Sequence, residues 1–449
     1  MYSFSSRLRL GAIVLMILGA LGVGYSFYTV PSTTSEVKEM MSHEGDHDTD
    51  QAKKEVATHN SQADEHKTEA KDNVEEEHLT HALHAMQNRP WTATFVAMFF
   101  FFMIALGTLA FYAIQYASQA GWSIVLFRVM EGITAYLLPG SLFILGFLII
   151  SAMHGNHMYV WMNPDLYDPK SADYDAVLVG KSWWLNVPFW MIRSFIFLLG
   201  WNFYRYFSRK HSLLQDAASD LVHYKKNLKA SIFFLLFFVV SESMMSWDWI
   251  MSLTPHWQST LFGWYVFSTL IVSAITVIAM VAIYLRVKGF LPHVNDSHLH
   301  DLAKFMFGFS IFWTYLWFSQ FMLIWYANMP EETAYFTPRL LGTFQPLFIG
   351  MVVLNFVFPI LLLMNSDYKR VPWFIISTGI IILIGHYVDI FVMVAPATVG
   401  DHWQIGIPEI SSMLFFLGLF IYVIFNALTK APLHAKGNPF MKESEHYHY

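Results

Sequence analysis

Apolar runs of roughly 20 residues recur along most of this chain, each near the length a helix needs to cross a hydrocarbon core about 30 Å thick. Polar, often basic, loops separate them. The pattern predicts about ten spans, at 8–28, 92–116, 122–151, 184–206, 230–253, 261–285, 305–327, 338–363, 372–394 and 410–427. A β-barrel would instead show short segments of alternating polarity. The fold class read from the pattern is therefore an all-α polytopic membrane protein. The third run is longer than one crossing needs, which predicts a tilted helix or one broken near Pro139-Gly140.

Basic residues concentrate in alternate loops. One set holds Arg7, Arg9, Arg205, Arg209, Lys210, Lys225, Lys226, Lys229, Arg286, Lys288, Lys304, Lys369, Arg370, Lys430, Lys436 and Lys442. The opposite short loops hold Lys170, Lys181 and Arg339. Cytoplasmic loops carry the excess of Lys and Arg. Both termini are thus expected to be cytoplasmic, as an even number of spans requires, with residues 31–90 outside. The first run follows Arg7 and Arg9, as in a signal peptide, but it exceeds a typical signal core and lacks a clear cleavage site. A retained anchor over residues 1–30 is expected. Residues 211–229 mix Leu213, Leu214, Leu221 and Val222 with charge, which suggests a helix lying in the cytoplasmic interface.

Composition sharpens this picture. The chain is 55% hydrophobic and 13% charged, against about 25% charge for soluble domains. A lipid bilayer is the expected surrounding, and no nucleic acid is expected as a partner. There is no cysteine, which excludes disulfides, thiolate-held iron–sulfur clusters and covalent c-type haem on this chain. The net charge of −6 reflects mainly the acidic stretch at 31–90, which also carries seven histidines. His78, His81 and His84 share a helical spacing near its end, but a solvated helix leading into the second span explains them better than a metal site, and no metal site is assigned.

Candidate chemistry lies with ionisable groups inside the spans, where each costs several kcal/mol and usually lines an ion, proton or substrate path. Counted along the helices, Asp248, His386, Asp389 and Arg193 fall at an outer level, and Glu131, Glu242 and Arg128 fall deeper. Arg128 and Glu131 stand at i, i+3 and can pair, and Arg193 can pair with a carboxylate. Simple interhelical ion pairs would account for both, although desolvation offsets much of the attraction. His386 and Asp389 also share a face. Histidine titrates near neutrality, and a carboxylate beside it suits proton exchange with a quinol-like hydroxyl. Haem b ligation by His386 would need a second intramembrane histidine at matched depth, and none is clear. The strings WDWIMSLTP and VDIFVMVAP each put an aspartate seven residues before a proline, at Asp248/Pro255 and Asp389/Pro396. Such an echo suggests two related four-helix bundles, at 91–254 and 255–398, followed by a last span and tail at 399–449.

The segment SWDWIMSLTPHWQSTLFGWYVF, residues 246–267, with LLPGSLF at 137–143 and WWLNVPFW at 183–190, resembles the NrfD and polysulfide-reductase membrane-subunit family. Within it the resemblance is to the second quinone-type membrane subunit of bacterial alternative complex III, over nearly the whole chain. It implies paired four-helix bundles in the bacterial cytoplasmic membrane and a role in a quinol:cytochrome c oxidoreductase. The implied partners are an iron–sulfur subunit, multihaem cytochrome c subunits and a sister NrfD-like membrane subunit. The implied cofactors are haem c and iron–sulfur clusters on those partners, with menaquinol or ubiquinol as the ligand. The resemblance puts a quinol site near the outer surface, the level of Asp248, His386, Asp389 and Arg193, although the sister subunit is the stronger candidate for the working site. Glu131, Glu242 and Arg128 are then candidates for a proton path. Two other classes fit the same residues: a free-standing ion-coupled transporter, and a non-catalytic scaffold whose charges only tie helices together.

Overall fold

The computed structural model describes residues 2–44 and 65–448. The middle of the acidic, His-rich stretch lies outside the described residues, as does the His78 side chain. Ten long helices make up the body: α1 (Ser6–Tyr28), α2 (Glu65–Ala117), α3 (Gly121–Ala152), α4 (Val187–Gln215), α5 (Val222–Trp249), α6 (Phe262–Val287), α7 (Asp296–Ala327), α8 (Gln345–Leu363), α9 (Pro372–Thr398) and α10 (Ile407–Leu428). No strand occurs among the described residues. The chain is an all-α polytopic membrane protein.

Among the described residues, nine helices are long and apolar enough to cross a membrane. The other long helix, α4, is punctuated by Arg193, Asn202, Arg205 and Arg209. Its 29 residues still extend about 43 Å at 1.5 Å each. It runs antiparallel along the full depth of α5: Trp190 Nε1 donates to the Asp248 carbonyl at 2.8 Å, Trp201 Nε1 to Ser241 Oγ at 2.9 Å, and the Tyr204 and Ser231 hydroxyls meet at 2.7 Å.

The start of α1 and the end of α10 lie on one face of the bundle, here called proximal. Tyr2 packs on Phe425 and Phe4 on Tyr422, at 6.1 and 6.0 Å between ring centroids. Two ends on one face require an even number of crossings, which counts α4 among them. Small residues let α1 and α10 touch, as expected where lipid gives no hydrophobic drive between helices. A Cβ on Gly19 would come within 2.4 Å of the Phe415 nitrogen, and one on Gly418 within 2.6 Å of the Ala12 carbonyl.

Helices α2–α5 form one four-helix group and α6–α9 a second. The most enclosed helices, α2 and α6, pack on each other between the groups, with Gly107 against the Leu270 carbonyl. Large apolar side chains such as Leu199, Phe233, Leu236 and Tyr315 face outward, as a lipid boundary requires.

Three expectations change in detail. The third span breaks into a 3-10 turn at Thr134–Tyr136, ahead of Pro139, because the proline ring crowds the carbonyl four residues back and supplies no N–H. Residues 211–229 do not form an interfacial helix. They extend α4 and α5 past the apolar zone, and Gln215 stitches the hairpin, its amide donating to the Asp220 carbonyl at 2.6 Å and accepting the Tyr224 N–H at 2.7 Å. The span expected from residue 338 starts as a separate short turn, Thr337–Leu340, before α8.

Candidate functional site

At the proximal end of the first bundle, Arg128 and Glu131 pair at 2.6 Å, as their spacing predicts. The structure adds two groups that the loop positions had hidden. Arg209 of α4 also binds the Glu131 carboxylate, and Asp216 binds Arg128. Ser212 donates to Glu131 and receives Arg128 Nη1 at 3.1 Å, while the Tyr112 hydroxyl donates to Glu131 at 3.3 Å. Two cations and two carboxylates thus neutralise one another across α2, α3 and α4. This geometry ties helices.

At the distal end of the same bundle, Arg193 holds Asp248 through Nε at 2.7 Å and Nη2 at 2.8 Å. Trp184 Nε1 adds a third bond to that carboxylate at 3.0 Å. The guanidinium is sandwiched by Trp184 and Phe189, 4.1 and 4.3 Å from their ring centres. Both Asp248 oxygens are therefore engaged and both residues are buried. Glu242, a turn and a half below, is buried and accepts the Ser246 hydroxyl at 3.2 Å.

The second bundle is built differently. Asp389 on α9 receives the Tyr265 hydroxyl, the Thr269 hydroxyl at 2.8 Å and Trp313 Nε1 at 2.9 Å, all uncharged donors. His386 sits one turn earlier on the same face, wholly buried, with its ring edge-on to Trp313 at 5.5 Å. Its Nδ1 approaches Asp389 at 3.5 Å, too far for a good hydrogen bond. Neither ring nitrogen has a hydrogen-bond partner among the described residues. Beside it, α8 carries a π-helical turn at Val353–Val357, a feature that often marks functional sites. That turn presents Asn355, wholly buried with both amide atoms unpartnered, against Gly385. A Cβ on Gly385 would lie 2.1 Å from Asn355 Oδ1, so glycine is needed there. On α7, Ser310 Oγ and Trp317 Nε1 are also unpartnered and flank Trp313 at helical spacing.

Toward the distal surface, Arg339 completes this region. It answers a backbone problem: Pro396 inside α9 cannot donate to the Val392 carbonyl, and Arg339 Nε does so at 3.1 Å, with Nη2 on the Met393 carbonyl at 3.1 Å. Arg339 lies over the Tyr335 ring and shares with Asp389 a cavity of ≈ 10 Å³, about the room one water needs. The two echoing strings therefore occupy the distal ends of the fourth helices of the two groups, but α5 stops after Asp248 whereas α9 continues through Pro396.

The outer-level candidates form two separate pairs, Asp248–Arg193 in the first bundle and His386–Asp389 in the second. They do not share partners: Asp248 is held by Arg193 and Trp184, and Asp389 by Tyr265, Thr269 and Trp313. Sequence reading missed Arg339, Asn355, Tyr265, Trp313, Arg209 and Asp216. The amide inside an otherwise apolar run was the available signal for Asn355. Tyr265 and Trp313 were lost among so many aromatics. A wider cavity of ≈ 500 Å³ opens between Trp247 at the end of α5, Met251 in the turn after it, and Gln320, Ile324 and Glu332, and Gln320 also lines the small cavity at Asp389.

No protein-family model matches the sequence, and no curated protein matches it significantly.

Proposed function

We propose that this chain is an NrfD-like membrane subunit of a bacterial quinol:cytochrome c oxidoreductase of the alternative complex III type, and that its second bundle handles protons. The observation that carries the proton assignment is His386, fully buried, with Nδ1 only 3.5 Å from the Asp389 carboxylate, Nε2 without a partner among the described residues, and the Asn355 amide likewise without one. Buried polar groups normally find partners. In a membrane, side chains left open in this way suit a path that takes up and passes on water-borne protons. Arg128, Glu131, Arg193 and Asp248 lack that character, because counter-charges already engage them.

Quinol oxidation releases two protons and two electrons. The electrons need iron–sulfur clusters and c-type haems on partner subunits, since this chain has no cysteine. The ≈ 10 Å³ cavity at Asp389 is far too small for a quinol ring, whereas the ≈ 500 Å³ cavity beside Gln320 lies in the usual ligand range. That observation favours a second reading, in which menaquinol or ubiquinol enters beside Gln320 with a hydroxyl one side chain away from Asp389. The Lys- and Arg-rich proximal face would be cytoplasmic and residues 31–90 external.

The test is quinol:cytochrome c turnover of the assembled complex carrying His386→Leu or Asp389→Asn. Turnover should fall while haem content and subunit composition stay as in the wild type. Wild-type rates in the assembled variants would remove these residues from the mechanism. Purification of the chain alone, with ion uptake in proteoliposomes, would favour a transporter instead.

A further inference from the structure

On the proximal face, away from the intramembrane groups, three side chains from distant parts of the sequence converge. The loop between α6 and α7 brings His293, and the segment after α10 brings His434 and Glu445. Glu445 Oε1 lies 2.7 Å from His434 Nε2 and 3.8 Å from His293 Nε2. The two imidazole rings are 5.0 Å apart between centroids, and one ligand atom from each of the three residues lies within 4.8 Å of the others. Two imidazole nitrogens directed at one carboxylate oxygen make a mixed nitrogen–oxygen donor set.

Zinc takes such ligands at about 2.0–2.2 Å in a tetrahedron, so ligand atoms stand roughly 3.3 Å apart. The 2.7 and 3.8 Å separations to Glu445 bracket that value and need shifts of about half an ångström, and the two imidazole nitrogens lie within 4.8 Å of each other. Imidazole selects zinc-like ions over magnesium or calcium, which prefer all-oxygen sites. The three side chains are partly exposed, so an ion can reach them.

The backbone around them is already fixed. Ser444 donates through Oγ to the Trp122 carbonyl at 2.6 Å and accepts the Val125 N–H at 3.1 Å. Asn295 Nδ2 donates to the Tyr447 carbonyl at 2.6 Å, and the Tyr447 hydroxyl donates to Asp301 at 2.6 Å. Glu445 is thus held between two anchored neighbours, and Asn295 ties the same segment to the loop that carries His293. Ligands held by a fixed frame need little ordering on binding.

We propose that His293, His434 and Glu445 bind one zinc-class divalent cation, with water as the fourth ligand, and that the ion fastens the segment after α10 to the α6–α7 loop. The site is independent of the proton assignment above.

The test uses the full chain in nanodiscs with Zn²⁺ as the probe. Equilibrium dialysis measures bound zinc, and trypsin cleavage at the exposed Lys436 and Lys442 reports how firmly the segment is held. His434→Gln and His293→Gln should each lose one zinc equivalent and the zinc-dependent protection of both lysines. A variant with His78, His81 and His84 changed to glutamine should keep the protection. His293 sits in an exposed loop outside the segment's own hydrogen bonds, so its variant separates metal binding from folding. Wild-type stoichiometry and protection in both single variants would overturn the site, as would equal protection by Mg²⁺.

Discussion

Replacing Arg193 by methionine separates holding the fold from doing chemistry at the distal end of the first bundle. Arg193 gives the buried Asp248 two charge-assisted bonds, at 2.7 and 2.8 Å. Without it the carboxylate keeps the Trp184 indole at 3.0 Å as its side-chain donor. Breaking one side of a buried ion pair costs about 3–5 kcal/mol in soluble proteins. Loss of the guanidinium between Trp184 and Phe189 adds about 0.5–2 kcal/mol. Polar contacts between transmembrane helices measure lower, about 0.6–2 kcal/mol each. Two such bonds plus the stacking set a floor near 2 kcal/mol for Arg193→Met. The double change Arg193→Met with Asp248→Asn removes the uncompensated charge and should recover at least 1 kcal/mol, since the penalty lies mostly in the stranded carboxylate. The assay is equilibrium unfolding in mixed micelles followed by tryptophan fluorescence, read as a double-mutant cycle. A single variant within about 0.5 kcal/mol of wild type, or a double variant no better than the sum of its parts, would refute the assignment of this pair as a structural tie.

Other expectations follow from the same contacts. Glu131→Gln leaves Arg128 and Arg209 facing each other with only Asp216 to offset them, and should lower folded yield by several-fold, measured by size-exclusion recovery. Gly385→Ala forces a Cβ against Asn355 and should cost about 1–3 kcal/mol, with a loss of turnover exceeding that of Gly385-independent surface variants. Gly418→Leu drives α10 off the Ala12 carbonyl and should lower the thermal midpoint of the full chain, yet be silent once residues 2–28 are deleted.

Much of the architecture was legible because hydrocarbon imposes a simple rule: about 20 apolar residues per crossing. Even α4, which carries three arginines, was expected as a span from its apolar run; the structure gives Arg193 a partner on α5, and Asn202 and Arg209 partners on α3. Depth along a helix was also legible, and it put Asp248 and Asp389 near the distal ends of their helices. Pairing across helices was not. The proximity of Arg193 to Asp248, rather than to His386 or Asp389, depends on which helices close into one bundle. Asn355 gained meaning only when the π-helical turn and Gly385 put it beside His386. Arg339 read as a loop cation, yet it donates to the Val392 carbonyl, which Pro396 leaves without a helical donor, and to the Met393 carbonyl beside it. The ligands His293, His434 and Glu445 lie up to 152 residues apart in the chain, beyond any spacing motif.

In the proposed function, protons move through the second bundle by way of His386 and Asp389. The most direct measurement is the number of protons taken up and released per electron by the assembled complex in proteoliposomes, compared between wild type, His386→Leu and the paired Arg193→Met/Asp248→Asn variant. Slower or fewer protons per electron in His386→Leu alone would match the account. Unchanged proton movement in His386→Leu, with loss in the Arg193/Asp248 variant, would contradict it.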